Sequence, residues 1–226
     1  MRKVLLALFL CIAMLASAGS IALAVEMQQP PGQGTEENPY EVASLAHLSW
    51  LSQHPDEWDA CYSQTSDIDA SGTGFWDDAD ENSDGDLYND PHDDTNEGSN
   101  DGFSPIGNQV TWFDGDYEGN GHTVSNLAIS RDGTDRVGFF GTTHDGTIEN
   151  LTLSEVYILG ENEVGAVVGA NTANLTNCSS SGIILAANHA GGLVGFNRES
   201  SEFEPHVSDC HSSASVMADA YVGGLV

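Results

Sequence analysis

Apolar residues in the second half of the chain fall in short runs, such as Val156-Tyr-Ile-Leu159 and Ile183-Ile-Leu185, separated by Gly, Asn and Ser. No run there has the length or the 3.6-residue period of a helix, so the pattern predicts strands broken by turns. One phrase recurs at intervals of 26 to 32 residues: Val137-Gly-Phe-Phe-Gly141, Val164-Gly-Ala-Val-Val-Gly169, Ala190-Gly-Gly-Leu-Val-Gly195 and Val222-Gly-Gly-Leu-Val226. A second phrase keeps step with it: Val124-Ser-Asn126-Leu, Ile148-Glu-Asn150-Leu, Leu175-Thr-Asn177-Cys178 and Val207-Ser-Asp209-Cys210. Two phrases locked in phase identify a structural repeat. A unit of roughly 25 residues with two or three strands is one coil of a parallel β-solenoid. A lone coil cannot bury its inward face, so a core arises only when coils stack about 4.8 Å apart. The fold class expected is all-β, a parallel β-helix (β-solenoid). Paired glycines in the first phrase suit close backbone approach, where a Cβ would clash.

The first half reads differently. Leu45, Leu48 and Leu51 lie at helical spacing after Ser44, a candidate N-cap, and Pro55 follows. This predicts a short amphipathic capping helix at the N-terminal end of the solenoid, with His47 and His54 at its surface. Further upstream, Arg2 and Lys3 precede an apolar run from Val4 to Ala16 and Ala-x-Ala sites ending at Ala18 and Ala24. That order is a secretory signal peptide, assigned to residues 1–24, with 25–33 as a flexible linker.

Charge sharpens the picture. The 226 residues carry 35 Asp+Glu against 5 Lys+Arg, a formal net charge of −30. A chain so poor in cations cannot neutralise phosphates, which excludes nucleic acid and anionic lipid surfaces as partners. With 39% apolar residues it is still able to build a core. Eleven carboxylates and no cation lie between Asp77 and Asp101. Within this stretch, Asp80-Glu-Asn82-Ser-Asp84-Gly85-Asp86 places oxygen ligands at positions 1, 3 and 5 of a turn with Gly at 6. That is the front half of an EF-hand-type calcium loop. Pro91 stands where the bidentate Glu belongs, so Asp90 or Asp93 would close the shell. The candidate metal ligands are Asp80, Asn82, Asp84, Asp86 and Asp90, with calcium as the cofactor; the alternative is a solvated acidic loop.

Cysteines after the leader are Cys61, Cys178 and Cys210, an odd count without CxxC spacing, read as free thiols. Cys178 and Cys210 would stack in adjacent coils. Asn126, Asn150, Asn177 and Asp209 occupy one place in the second phrase and are expected to form a single ladder along the solenoid axis. Asn150, Asn174 and Asn177 also begin N-glycosylation sequons, of which Asn174 is off the ladder register and the better acceptor.

Phe113-Asp-Gly-Asp-Tyr-Glu-Gly-Asn-Gly-His-Thr-Val-Ser-Asn-Leu-Ala-Ile129, followed by the Val-Gly-Phe-Phe-Gly and Gly-Gly-Leu-Val-Gly copies, resembles the GLUG-motif repeat proteins. Gly34-Thr-Glu-Glu-Asn-Pro-Tyr40, Thr65-Ser-Asp-Ile-Asp69 and Phe103-Ser-Pro-Ile-Gly-Asn108 resemble the segment that precedes such repeats. The resemblance implies a right-handed β-helix on an exported bacterial or archaeal surface protein. It divides the chain into an N-terminal cap segment, 34–109, with an inserted acidic loop, 72–102, and GLUG-type repeats over 110–226. These repeats stop inside a copy, so further repeats are expected beyond the C-terminus.

Three functions compete. The first is a secreted or cell-surface, non-catalytic repeat protein with a structural or adhesive role. A second is a carbohydrate- or calcium-dependent binding module, favoured by Trp50, Trp58, Trp76 and Trp112, which packing of the cap also explains. The third is an accessory region of a larger secreted polysaccharide-active or peptidase protein. Catalysis on polysaccharide would need carboxylates at matched register on neighbouring coils, about 5 to 9.5 Å apart. Glu149, Glu155, Glu161 and Glu163 cluster on one copy and lack partners in the next, so no catalytic residue is assigned. The location expected is extracellular or cell-surface, with an extracellular ligand, a glycan among the candidates, and no transmembrane segment after signal cleavage.

Overall fold

The structure, a computed structural model, describes residues 27–76, 101–198 and 205–226. Nineteen short strands and one α-helix follow one another among these residues, and all pairing between strands is parallel. The first strand, β1 (Tyr40–Val42), leads into α1 (Leu45–Gln53), and β2 (Cys61–Gln64) and β3 (Ile68–Asp69) follow. Three complete turns come next. They are β4 (Asp116–Glu118), β5 (Thr123–Ser125), β6 (Ala128–Ser130) and β7 (Phe140–Thr142); then β8 (Thr147–Glu149), β9 (Thr152–Leu159), β10 (Asn162–Val164) and β11 (Val168–Asn171); then β12 (Asn174–Thr176), β13 (Ser179–Leu185), β14 (Asn188–Ala190) and β15 (Val194–Asn197). The last turn holds β16 (Val207–Ser208), β17 (His211–Ser212), β18 (Ser215–Met217) and β19 (Ala220–Val222). Equivalent strands join in sheets that run along the axis, the broadest ordered β1-β2-β4-β8-β12-β16. A parallel β-solenoid is therefore the fold, with four strands per turn instead of the two or three that the apolar runs suggested.

Matched register turns the core into columns. Tyr62, Tyr117, Ile148, Leu175 and Val207 stack on one wall. Ile129, Ile158, Ile184 and Val216 line another, and Phe140, Val168 and Val194 a third. Each repeat thus buries its apolar position on the same position of its neighbours, while the alternate residues of each strand face outward. Phe103, Phe113, Phe139 and Phe140 thicken the core early in the array.

The glycine phrase does what its composition predicts. A Cβ on Gly165 would lie 2.4 Å from the Val168 carbonyl oxygen and 2.5 Å from the Gly195 nitrogen. The corners between strands use left-handed backbone, and this column is not glycine. Arg136, Glu163, His189 and Tyr221, each just before a residue of the column Val137, Val164, Ala190 and Val222, all have positive φ.

The helix forms where the leucine spacing placed it, and the Ser44 side chain accepts a hydrogen bond from the His47 amide as N-cap. His47 does not lie at the surface as expected. It is buried, its Nδ1 accepting from the Ala43 amide. Residues 27–33 are tied to the fold: the Gln28 amide donates to Ala46 and the Glu41 amide to Pro31. Trp76, inside the stretch read as acidic insertion, is buried, and its carbonyl accepts from the Gly102 amide. The leader, residues 1–24, lies outside the described residues.

Candidate functional site

The sheet β2-β4-β8-β12 carries a groove on its outer face. Tyr62, Tyr117 and Ile148 point inward from these strands, so Cys61, Ser63, Asp116, Glu118, Thr147 and Glu149 project outward. Register sets Glu118 directly opposite Glu149 and Asp116 opposite Thr147. The Asp116 carboxylate accepts from the Thr147 amide at 2.9 Å. Glu118 accepts from the Asn150 amide group with both oxygens, at 3.1 and 2.9 Å, and from the Asn120 backbone. Burial, the charge of Glu118, a hydrogen bond shared with it and the charge of Asp116 together hold the Glu149 carboxyl above the usual carboxylate range. The Glu149 carboxyl, facing Glu118 across the register, therefore takes up a proton more readily than an ordinary carboxylate.

The sequence contains this pair but does not reveal it. Glu149 has Thr176 opposite in the following turn, as the lack of a forward partner implied, yet Glu118 stands opposite in the preceding turn. The recurring phrase aligns Ser125 with Glu149, whereas the sheet sets Glu118 against it, so the alignment of phrases hid the pair.

The expected asparagine ladder divides in two. Asn177 Nδ2 donates to Asn150 Oδ1 at 2.7 Å, and Asn150 passes the chain on to Glu118. Asn126 is not on this ladder. Val124 pairs with Leu153 while Ile148 pairs with Tyr117, so Asn126 lies on the next corner, and its amide donates to Asp69 at 3.0 Å. Hydrogen bonds from Asn126 and Ser71 outweigh the effect of burial and leave the Asp69 carboxyl below its ordinary value. Two more ladders were not foreseen. One links Asn188 to Asn162 to Asp135, and a buried one links Thr143, Asn171 and Asn197.

Of the four tryptophans, Trp50, Trp58 and Trp76 are buried, in keeping with the packing account. Trp112 is 43% exposed and lies against His144, ring centroids 4.8 Å apart, with His144 Nδ1 3.1 Å from Asp114. Asn174 is exposed, its Oδ1 accepting from the His206 amide. The candidate calcium ligands Asp80, Asn82, Asp84, Asp86 and Asp90 lie outside the described residues. No group of three or more His, Cys, Asp or Glu among the described residues is arranged to hold a metal ion.

No family model matches the chain. It is 38% identical over 170 residues to Halomucin of Haloquadratum walsbyi, covering 73% of this chain and 2% of that protein. It is 29% identical over 180 residues to a protein of Evansella cellulosilytica described as a Gly-rich membrane protein, covering 77% of this chain and 18% of the relative. The chain therefore spans only a small part of either relative. Among solved structures it resembles a Bacteroides ovatus protein described as an immunoglobulin A1 protease, with a TM-score of 0.59 and 17% identity. That match covers 84% of this chain and 50% of the other. It supports the solenoid fold alone. No helix among the described residues is long and apolar enough to cross a membrane.

Proposed function

We propose that this chain is a segment of an exported surface protein of the GLUG-repeat type, with a structural or adhesive role that involves no catalysis. The observation that carries this reading is the similarity to Halomucin along a solenoid whose columns and ladders run from turn to turn. Such stacking builds a stiff rod with repeated outward positions, suited to presenting a surface. The name of the Evansella relative supports a membrane-associated setting.

Antibodies raised against residues 110–226 test the location. They should label intact cells of the source organism; a signal seen only after permeabilisation overturns the reading. Calcium bound by Asp80, Asn82, Asp84, Asp86 and Asp90 is part of the same proposal. Titrating calcium into the purified protein should raise its melting temperature, and Asp84→Asn should abolish the rise. An unchanged melting temperature removes the metal site and leaves the surface role standing.

A further inference from the structure

We propose that Cys178 and Cys210 are an oxidisable pair that a small organic disulfide converts into a covalent staple between the last two turns. Both flanks of the pair are in register: Thr176 pairs with Ser208 and Ser179 with His211, which sets Cys178 opposite Cys210. Neighbouring strands place such residues about 4.8 Å apart, inside the roughly 4.4–6.8 Å Cα separation that a disulfide spans. The Cys210 sulfur already lies against Cys178, accepting from its backbone amide at 3.3 Å. The Cys178 thiol donates to the Thr176 and Ile148 carbonyls at 3.4 and 3.5 Å and turns toward Cys210 to bond.

The surroundings give the two sulfurs different parts. The hydrogen bond from Cys178, helped by its amide, lowers the Cys210 thiol to about 7, against the opposing effect of burial. Cys178 is fully buried, and its hydrogen bond to Cys210 together with burial raises it. Cys210 is therefore the attacking thiolate. Its sulfur displaces one half of the organic disulfide as a thiolate, giving a mixed disulfide at Cys210. With the Cys210 charge gone, Cys178 loses its proton and attacks the Cys210 sulfur, releasing the second half as a thiol. In sum, two protein thiols and one organic disulfide become one protein disulfide and two organic thiols. Cys61 differs: burial and the carboxylates Asp116, Glu36 and Glu37 push its thiol up, and it has no cysteine across from it.

Incubation of the full chain with oxidised glutathione, alkylation in denaturant and peptide mapping without reductant test the proposal. Peptides carrying Cys178 and Cys210 should be joined, Cys61 should be alkylated, and the oxidised protein should melt higher than the reduced one. Cys210→Ser should lose both the cross-link and the rise, while Cys61→Ser should keep both. Glutathione retained on Cys210, full alkylation of Cys178 and Cys210, or a cross-link through Cys61 would overturn it.

Discussion

The side-chain amide of Asn177 donates to the side-chain oxygen of Asn150, one turn below, at 2.7 Å. Both residues hold left-handed backbone, with φ of 52° and 56°. Asparagine tolerates this conformation better than most residues and offers a donor and an acceptor on one short arm. The ladder begins at the Glu118 carboxylate, an acceptor, and Asp209 follows in register beyond Asn177, since Ser208 pairs with Thr176.

An ionised Asp209 has no proton to give to Asn177 Oδ1. Asp209→Asn should therefore extend the ladder by one rung and stabilise the fold by about 1 kcal/mol. Thermal unfolding at neutral pH checks it, with Asn177→Ala as the paired variant. The latter should lose the rung and add left-handed strain of about 1–2 kcal/mol. A neutral or destabilising Asp209→Asn would show that the two side chains do not meet.

Glu149 should govern part of the pH response. Its carboxyl sits above the ordinary range because of burial and the facing Glu118. The folded state then holds that proton more tightly than the unfolded chain. This contribution is complete below the unfolded value, about 4.3, and is lost as pH rises through the higher folded value. Glu149→Gln should raise the melting temperature at pH 7, and the gain should vanish near pH 4. An equal gain at both pH values would count against the repulsion.

His47 works in the opposite direction. Burial lowers its pKa despite the hydrogen bond to the Glu41 carbonyl, and protonation would take away the Nδ1 lone pair that accepts from Ala43. The unfolded chain binds this proton more tightly than the folded one. Stability tied to His47 is present above about pH 6.5 and falls as pH drops below it. His47→Asn, which retains an acceptor near the Ala43 amide, should flatten the slope of melting temperature between pH 7 and 5 relative to the unaltered chain.

Close packing of the glycine column makes a steric prediction. A methyl group on Gly165 meets backbone atoms at 2.4 and 2.5 Å, and backbone cannot swing aside as a side chain can. Gly165→Ala should destabilise by several kcal/mol, on the order of 3. Gly224, with nothing within 4 Å of an added Cβ, is the control and should tolerate alanine. Chemical denaturation of the two variants separates them.

Repetition made the solenoid legible in the sequence. Two phrases in phase could bury their apolar positions only by stacking, and Ser44 with the leucine spacing marked the helix because capping and amphipathicity are local properties. The crowding at the paired glycines followed from local reasoning too. Register between turns was a different matter. Spacings of 31, 27 and 32 residues along one sheet come from corners of unequal length, and a shift of a few residues moves a side chain to another corner. Only the folded chain therefore separates Asn126 from Asn150, sets Glu118 against Glu149, and buries His47. Which residues alternate in and out is written in the order of side chains along a strand, but which side chains meet across turns is settled by backbone hydrogen bonds between segments distant in sequence.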